Sequence, residues 1–223
     1  MRNIVLVMML ITLAFTSCKA KQQQSEETIA DEVESVYVVD IEFNDETHHI
    51  TVIYEEAEND YIFTLKGFEF DYQGRPQKLQ LPTELIYHGV SDISPYFWSS
   101  DMNFDDYMDI TIELPSEGDN INFIFFLYNP STQKHEYSEK LSNLSGLQSD
   151  PETKTLKDVI WAGDSWESNE YRWEGTNLVL FRTTTLDREE GVEGSIMVTN
   201  TLQPDGTWTE STEHLDIYGE KIE

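Results

Sequence analysis

The sequence predicts an all-β protein, and a few observations carry the prediction. Short apolar runs, alternating or rich in aromatic residues, recur from Val36 onward. Turn signals separate them, and no stretch of helical length keeps a helical apolar period.

In chain order the first strands are 36–43 ("VYVVDIEF"), 49–54 ("HITVIY") and 61–70 ("YIFTLKGFEF"), where β-branched and aromatic residues suit a pleated, half-buried surface. The turn "DYQGRP" leads to "QKLQLP" at 77–82, and "DITIEL" follows at 109–114. After "PSEGDN" comes "NINFIFFLY" at 120–128, too apolar for a strand with one wet face. It reads as a central strand buried on both faces, or as one covered by the N-terminal tether. The turns "YNPSTQ" and "DPETKT" flank the approach to "TLKDVI" (155–160) and "EYRW" (170–173). In the latter, Tyr171 and Trp173 share one face and Arg172 takes the other, which suits a core pair. "WEGTN" opens "LVLFRTTTL" (178–186), and "QPDGT" separates "SIMVTNTL" (195–202) from "TWTESTEHL" (207–215). In these turns Gly, Asn and Asp tolerate positive φ, and Pro holds φ at about −65°. Sequential antiparallel hairpins follow, folded as a sandwich or as irregular propeller-like blades. With no composition break after residue 35, residues 36–223 are expected to form a single all-β domain.

The first residues have a different character. Residues 1–17 combine a basic start at Arg2 with an apolar run from Ile4 to Phe15 too short to span a bilayer comfortably, the pattern of a secretory signal. Cys18, the only cysteine, stands where a bacterial lipoprotein signal places its lipidated residue, and "FTSC" resembles a lipobox. Residues 18–35 then read as the lipidated cysteine and a polar tether. The expected location is the envelope of a Gram-negative bacterium, anchored by lipid to the outer membrane and facing the periplasm or the outside.

The chain carries 43 acidic residues against 14 Lys plus Arg, a formal charge of −29, and removal of residues 1–17 takes Arg2 and brings it to −30. Nucleic acid is excluded as a partner, since phosphate binding needs clustered Lys and Arg and the sequence shows no basic run. The same field steers basic proteins toward the chain and argues for a monomer through self-repulsion.

The stretch "DMNFDDYMDI" (101–110) places four carboxylates in nine residues. Asp101, Asn103, Asp105 and Asp109 occupy the first, third, fifth and ninth positions of a calcium loop, with the Tyr107 carbonyl at the seventh. A hard cation takes six to eight oxygens, and without one the like charges repel. Asp106 stands where a glycine is usual, a position that requires a left-handed backbone, and Ile112 stands where a helix–loop–helix site has its bidentate Glu. Ca²⁺ as a structural ion is the expected cofactor; an acidic surface turn and another ion are the alternatives.

No zinc-type histidine spacing occurs among His48, His49, His88, His135 and His214, and no G-x-S-x-G elbow, P-loop or dinucleotide fingerprint is present. His48 and His49 read as surface or edge residues. With 43 acidic residues a carboxylate pair has no specificity as a glycosidase signal. The chain is expected not to be an enzyme.

The acidic loop, "LYNPSTQKHEY" and "EYRWEG", in this order over residues 92–182, resemble a family of bacterial envelope lipoproteins related to periplasmic lysozyme inhibitors, among them xanthomonad immunity proteins against peptidoglycan hydrolases. The resemblance implies an all-β fold with calcium at the loop. It also implies an inhibitor loop of the form S-G-x-x-Y that enters the hydrolase cleft. The matching place reads Ala162, Gly163, Asp164, Ser165 and Trp166: Gly163 fits, Ala162 lacks the hydroxyl and Trp166 replaces the tyrosine. Trp166 on a glycine turn suits an interface anchor with Ser165 as a donor; alternatively "WAGDSW" is a plain hairpin with Trp161 in the core and Trp166 on the sheet. The expected function is that of a lipid-anchored, calcium-binding protein that inhibits a basic peptidoglycan hydrolase. The alternative is a structural or interaction lipoprotein in which calcium serves only the fold.

Overall fold

The computed structural model describes residues 35–56, 62–115, 118–188, 194–216 and 219–222. The expected signal (1–17), Cys18 and nearly all of the tether lie outside the described residues.

Three antiparallel meanders account for the strands. The first sheet runs β1 (Ser35–Phe43), β2 (Glu46–Glu56), β3 (Ile62–Tyr72) and β4 (Arg75–His88), each strand paired with its neighbour in the chain. The β1–β2 and β3–β4 hairpins are closed by two-residue turns with positive φ, Asn44 at 50° with Asp45 at 63°, and Gln73 at 54° with Gly74 at 73°. These left-handed turns match the twist of the flanking strands. A register shift between Leu65 and Gly67 lets Phe63 and Leu65, then Phe68, Phe70 and Tyr72, all face the same core. Gly67 is required there: a Cβ would stand 2.7 Å from the Leu79 carbonyl oxygen.

The second sheet runs β5 (Phe97–Ser100), β6 (Asp109–Glu113), β7 (Phe123–Asn129) and β8 (Lys134–Tyr137), after a single 3-10 turn at Ser94–Tyr96. Its inner face shares one core with the first sheet, where the Phe68 ring meets Phe126 edge-on at 5.4 Å and Phe97 edge-on at 6.1 Å. The sandwich reading therefore describes these two sheets.

A helical turn, α1 (Glu139–Ser142), capped by the Ser138 side chain, leads to the third sheet. It contains β9 (Gln148–Asp150), β10 (Thr155–Ala162), β11 (Ser165–Glu174), β12 (Asn177–Asp187), β13 (Ser195–Leu202) and β14 (Trp208–Leu215), again in chain order. It closes a second core in which Leu156 packs with Met102, Phe123, Phe125, Leu141 and Leu147, with Tyr171, Trp173 and Leu178 against them.

The position of β7 explains its composition. Ile124, Phe126 and Tyr128 belong to the first core, while Phe123 and Phe125 belong to the second. Alternate side chains of one strand thus feed two cores, and an apolar residue is needed at nearly every position. Four short elements had no signal in the sequence: β5, β8, β9 and α1 are three or four residues long each.

Candidate functional site

The acidic loop lies between β5 and β6. Asp101 folds the chain back on itself, its Oδ1 accepting from the Asp105 N–H at 3.0 Å and its Oδ2 from the Asp106 N–H at 2.9 Å. Asp105 repeats the pattern, accepting from the Tyr107 N–H at 3.1 Å and from the Asn103 amide at 2.9 Å. Short polar side chains favour such local bonds to the backbone. The resulting coil carries Phe104 at φ 59° and Asp106 at φ 67°. Asp106, the residue in the place of the usual glycine, is indeed left-handed.

Asp109 differs in kind from the others. It opens β6 fully buried, and its two oxygens accept the Met102 N–H and the Tyr128 N–H, each at 2.8 Å. It thereby ties the base of the loop to β7. Burial pushes its pKa up to about 7, with the like charges of Asp105 and Asp101 adding to the effect and the two N–H bonds opposing it. Burial also raises Asp105, with the charges of Asp101 and Asp106 contributing in the same direction. Among the described residues no Lys, Arg or His forms an ion pair with these carboxylates.

The donor set has features for and against a cation. The Asn103 Oδ1 is buried with no hydrogen-bond partner, an acceptor that a cation would satisfy. Against this, among the described residues no three His, Cys, Asp or Glu side chains are arranged to hold a metal. The loop brings together Asp101, Asn103 and Asp105, with the Tyr107 N–H bonded back to Asp105, whereas Asp109 sits beneath them in the core. An ion that fits here would rest on amide and backbone oxygens as much as on carboxylates, a mixture that Ca²⁺ accepts.

The second predicted site is the tip of the β10–β11 hairpin. Ala162 pairs with Ser165, so Gly163 and Asp164 form the turn, with Gly163 at φ 65°. Ala162, Gly163 and Asp164 are exposed, and Ser165 and Trp166 are half-buried. Trp161 is not in the core: it pairs across the hairpin with Trp166 and is 47% exposed. The Asn120 side chain clamps this strand from outside the sheet, accepting from the Trp161 N–H at 2.7 Å and donating to its carbonyl at 3.1 Å. Asp164 approaches Arg188 at 4.0 Å.

The core reading of Tyr171 and Trp173 agrees with their positions. The Tyr171 hydroxyl donates to Asp158 at 3.0 Å, and the Trp173 indole N–H donates to the Met102 carbonyl at 2.9 Å, joining the third sheet to the acidic loop. His49 is exposed and bonds Asp40, and His48 lies half-buried, its ring 5.7 Å from that of Tyr72.

Sequence reasoning passed over His135. It is buried among the rings of Phe70, Tyr72 and Tyr128, with centroids 5.1 to 5.2 Å away, and its Nε2 donates to the Met108 carbonyl at 2.7 Å. Burial pushes its pKa down to about 4. "QKHEY" shows nothing of this, because the aromatic cage comes from three other strands.

No protein-family model matches the chain, and none of the curated proteins matches it. Fold and site define an all-β protein of three antiparallel meanders with an acidic loop between the first two cores. Among solved structures it is similar to a Xanthomonas Type IV secretion system related protein, with 16% identity over 82% of this chain and 94% of that one, and a TM-score of 0.59. At that identity the likeness speaks for the fold.

Proposed function

We propose that this is a lipid-anchored protein of the bacterial envelope that binds a peptidoglycan hydrolase and inhibits it by placing the β10–β11 hairpin in the enzyme's cleft. The supporting observation is the hairpin tip, where Ile160 at 38% and Trp161 at 47% exposure lead into a two-residue turn and Asn120 clamps the Trp161 backbone. An exposed, pre-ordered aromatic is the kind of residue that dominates protein interfaces. The Xanthomonas secretion-related fold relative is in keeping with an envelope role of this kind. A basic hydrolase is steered by the net charge of −29. Calcium, held at the loop by Asp101, Asn103, Asp105 and the Tyr107 carbonyl above the buried Asp109, has a structural part, bracing the loop on which Trp173 and Tyr128 are hung.

The test is a wall-clearing assay with the protein from Lys19 onward, titrated against chicken-, goose- and invertebrate-type lysozymes and bacterial peptidoglycan hydrolases. Stoichiometric inhibition of one enzyme, lost on deletion of residues 162–166 with the fold retained, is the expected outcome. Inhibition that survives the deletion moves the contact elsewhere.

A second reading, an interaction lipoprotein without inhibitory action, is favoured by Ala162 and Trp166, which lack the hydroxyls that the resemblance calls for. A folded protein inactive against the whole panel selects it.

A further inference from the structure

We propose that the groove between the start of β4 and the start of β8 binds a phosphate-class oxyanion. The groove has a volume of about 420 Å³ and is lined by Arg75, Gln77, Lys78, Leu79, Thr132 and Lys134 among others. Among the described residues not one Asp or Glu lines it. In a chain with 43 acidic residues in 223, a wall with three basic side chains and no carboxylate is a local reversal of the molecule's character.

The two turns that bring these residues together are built locally. Gln73 and Gly74, both with positive φ, reverse the chain so that Arg75 opens β4. On the facing hairpin Asn129 Oδ1 accepts from the Ser131 and Thr132 N–H groups, Gln133 takes φ 55°, and Lys134 opens β8. Arg75 and Lys134 are both exposed. Among the described residues neither takes part in an ion pair, although Lys66, Arg172, Arg182 and Lys221 elsewhere all do. Lys78 bonds Glu69 at 2.7 Å.

Gln77 supplies an independent observation. It is 8% exposed, and its Oε1 accepts the His135 backbone N–H at 2.9 Å and lies 3.2 Å from the His135 Nδ1. Its Nε2 is left buried with no hydrogen-bond partner. An orphan donor of this kind is costly unless an acceptor reaches it. An oxyanion in the groove is such an acceptor.

The donors favour phosphate over carboxylate. A guanidinium offers up to five N–H groups, an ammonium three and an amide two, and a tetrahedral oxyanion has enough oxygens and charge to meet several of them at once. A carboxylate has two oxygens and leaves donors unmatched. Repulsion from the surrounding acidic surface is limited to short range, the Debye length being about 8 Å at physiological salt.

Free phosphate and a lipid phosphate present the same chemistry. The described chain begins at Ser35, in the row that crosses Tyr54, Leu65 and Leu85, and the groove lies past Tyr72, roughly 23 Å further along the strand direction. The groove is thus at the opposite end of the first sheet from Ser35.

The experiment has two arms. In calcium-free buffer of constant ionic strength, inorganic phosphate is titrated against the protein and followed by calorimetry and ³¹P line width, with Arg75→Gln/Lys134→Gln beside it and Lys154→Gln/Lys157→Gln as a charge-matched control. In the other arm, co-sedimentation compares vesicles containing phosphatidic acid with vesicles of phosphatidylcholine alone. Melting curves check that each variant is folded, as expected for four exposed positions. The expected result is saturable phosphate binding, weakened at least about tenfold in the groove variant and unchanged in the control. Binding to phosphatidic acid vesicles alone, lost in the groove variant, keeps the site and assigns the lipid as its source. Absence of binding in both arms, or binding that the groove variant does not weaken, overturns the proposal.

Discussion

Two buried titratable groups of opposite sense, Asp109 and His135, are linked through the Met108 backbone, and their pH dependences are opposed. Asp109 has its pKa raised by burial from 3.8 to about 7. The stabilisation that goes with a raised pKa is fully present below pH 3.8 and is lost as pH rises through about 7, a difference of about 4 kcal/mol. His135, bonded to the carbonyl of the neighbouring Met108, has its pKa lowered from 6.5 to about 4. Its contribution is present above pH 6.5 and is lost as pH falls through about 4, a difference of about 3 kcal/mol. Between these limits the two slopes cancel in the calcium-free protein, and single variants separate them. Asp109→Asn keeps the shape of the side chain and removes the titration, while its amide nitrogen faces one of the two N–H donors at a cost that does not depend on pH. The assay is urea unfolding at pH 4, 5, 6 and 7 in chelator, with stability extrapolated to water. The stability of the parent minus that of Asp109→Asn should fall by about 3 kcal/mol from pH 4 to pH 7, and the parent minus His135→Phe should rise by about 3 kcal/mol from pH 4 to pH 6.5. A parent-minus-Asp109→Asn difference that is flat, or that rises with pH, refutes the reasoning. Millimolar calcium should flatten that difference, because a cation at the loop favours the ionised form.

The other expectations concern separate parts of the molecule. Calcium should raise the melting temperature of the parent and leave Asp105→Ala unmoved; equal shifts in both would remove Asp105 from the ion's ligands. Trp161→Ala should change stability by less than about 1 kcal/mol, since the side chain is half outside the fold, while weakening hydrolase inhibition at least tenfold in the wall-clearing titration. Gly67→Ala should cost about 1–3 kcal/mol in urea unfolding, because its Cβ would meet the Leu79 carbonyl oxygen at 2.7 Å and both partners are backbone; a neutral result would mean that the β3 bulge is free to relax.

The sequence by itself determined the meander. Alternation and turn chemistry are local, so "SIMVTNTL" is β13 to the residue, and the apolar excess of "NINFIFFLY" announced a strand with no wet face. The left-handed position at Asp106 was equally legible, since the loop spacing demands it. The alternation could not say what lay beyond each face. That β7 divides two cores, that Asp109 is a buried strut beneath the loop, and that Trp161 stands outside the core followed only once the three sheets were set against one another. The same holds for the seam where Gln77 bonds His135, 58 residues away in the chain. Such contacts are made between strands that share no turn and no hydrogen-bond ladder, and the free energy that selects them comes from apolar area buried between sheets, which has no short-range signature in the chain.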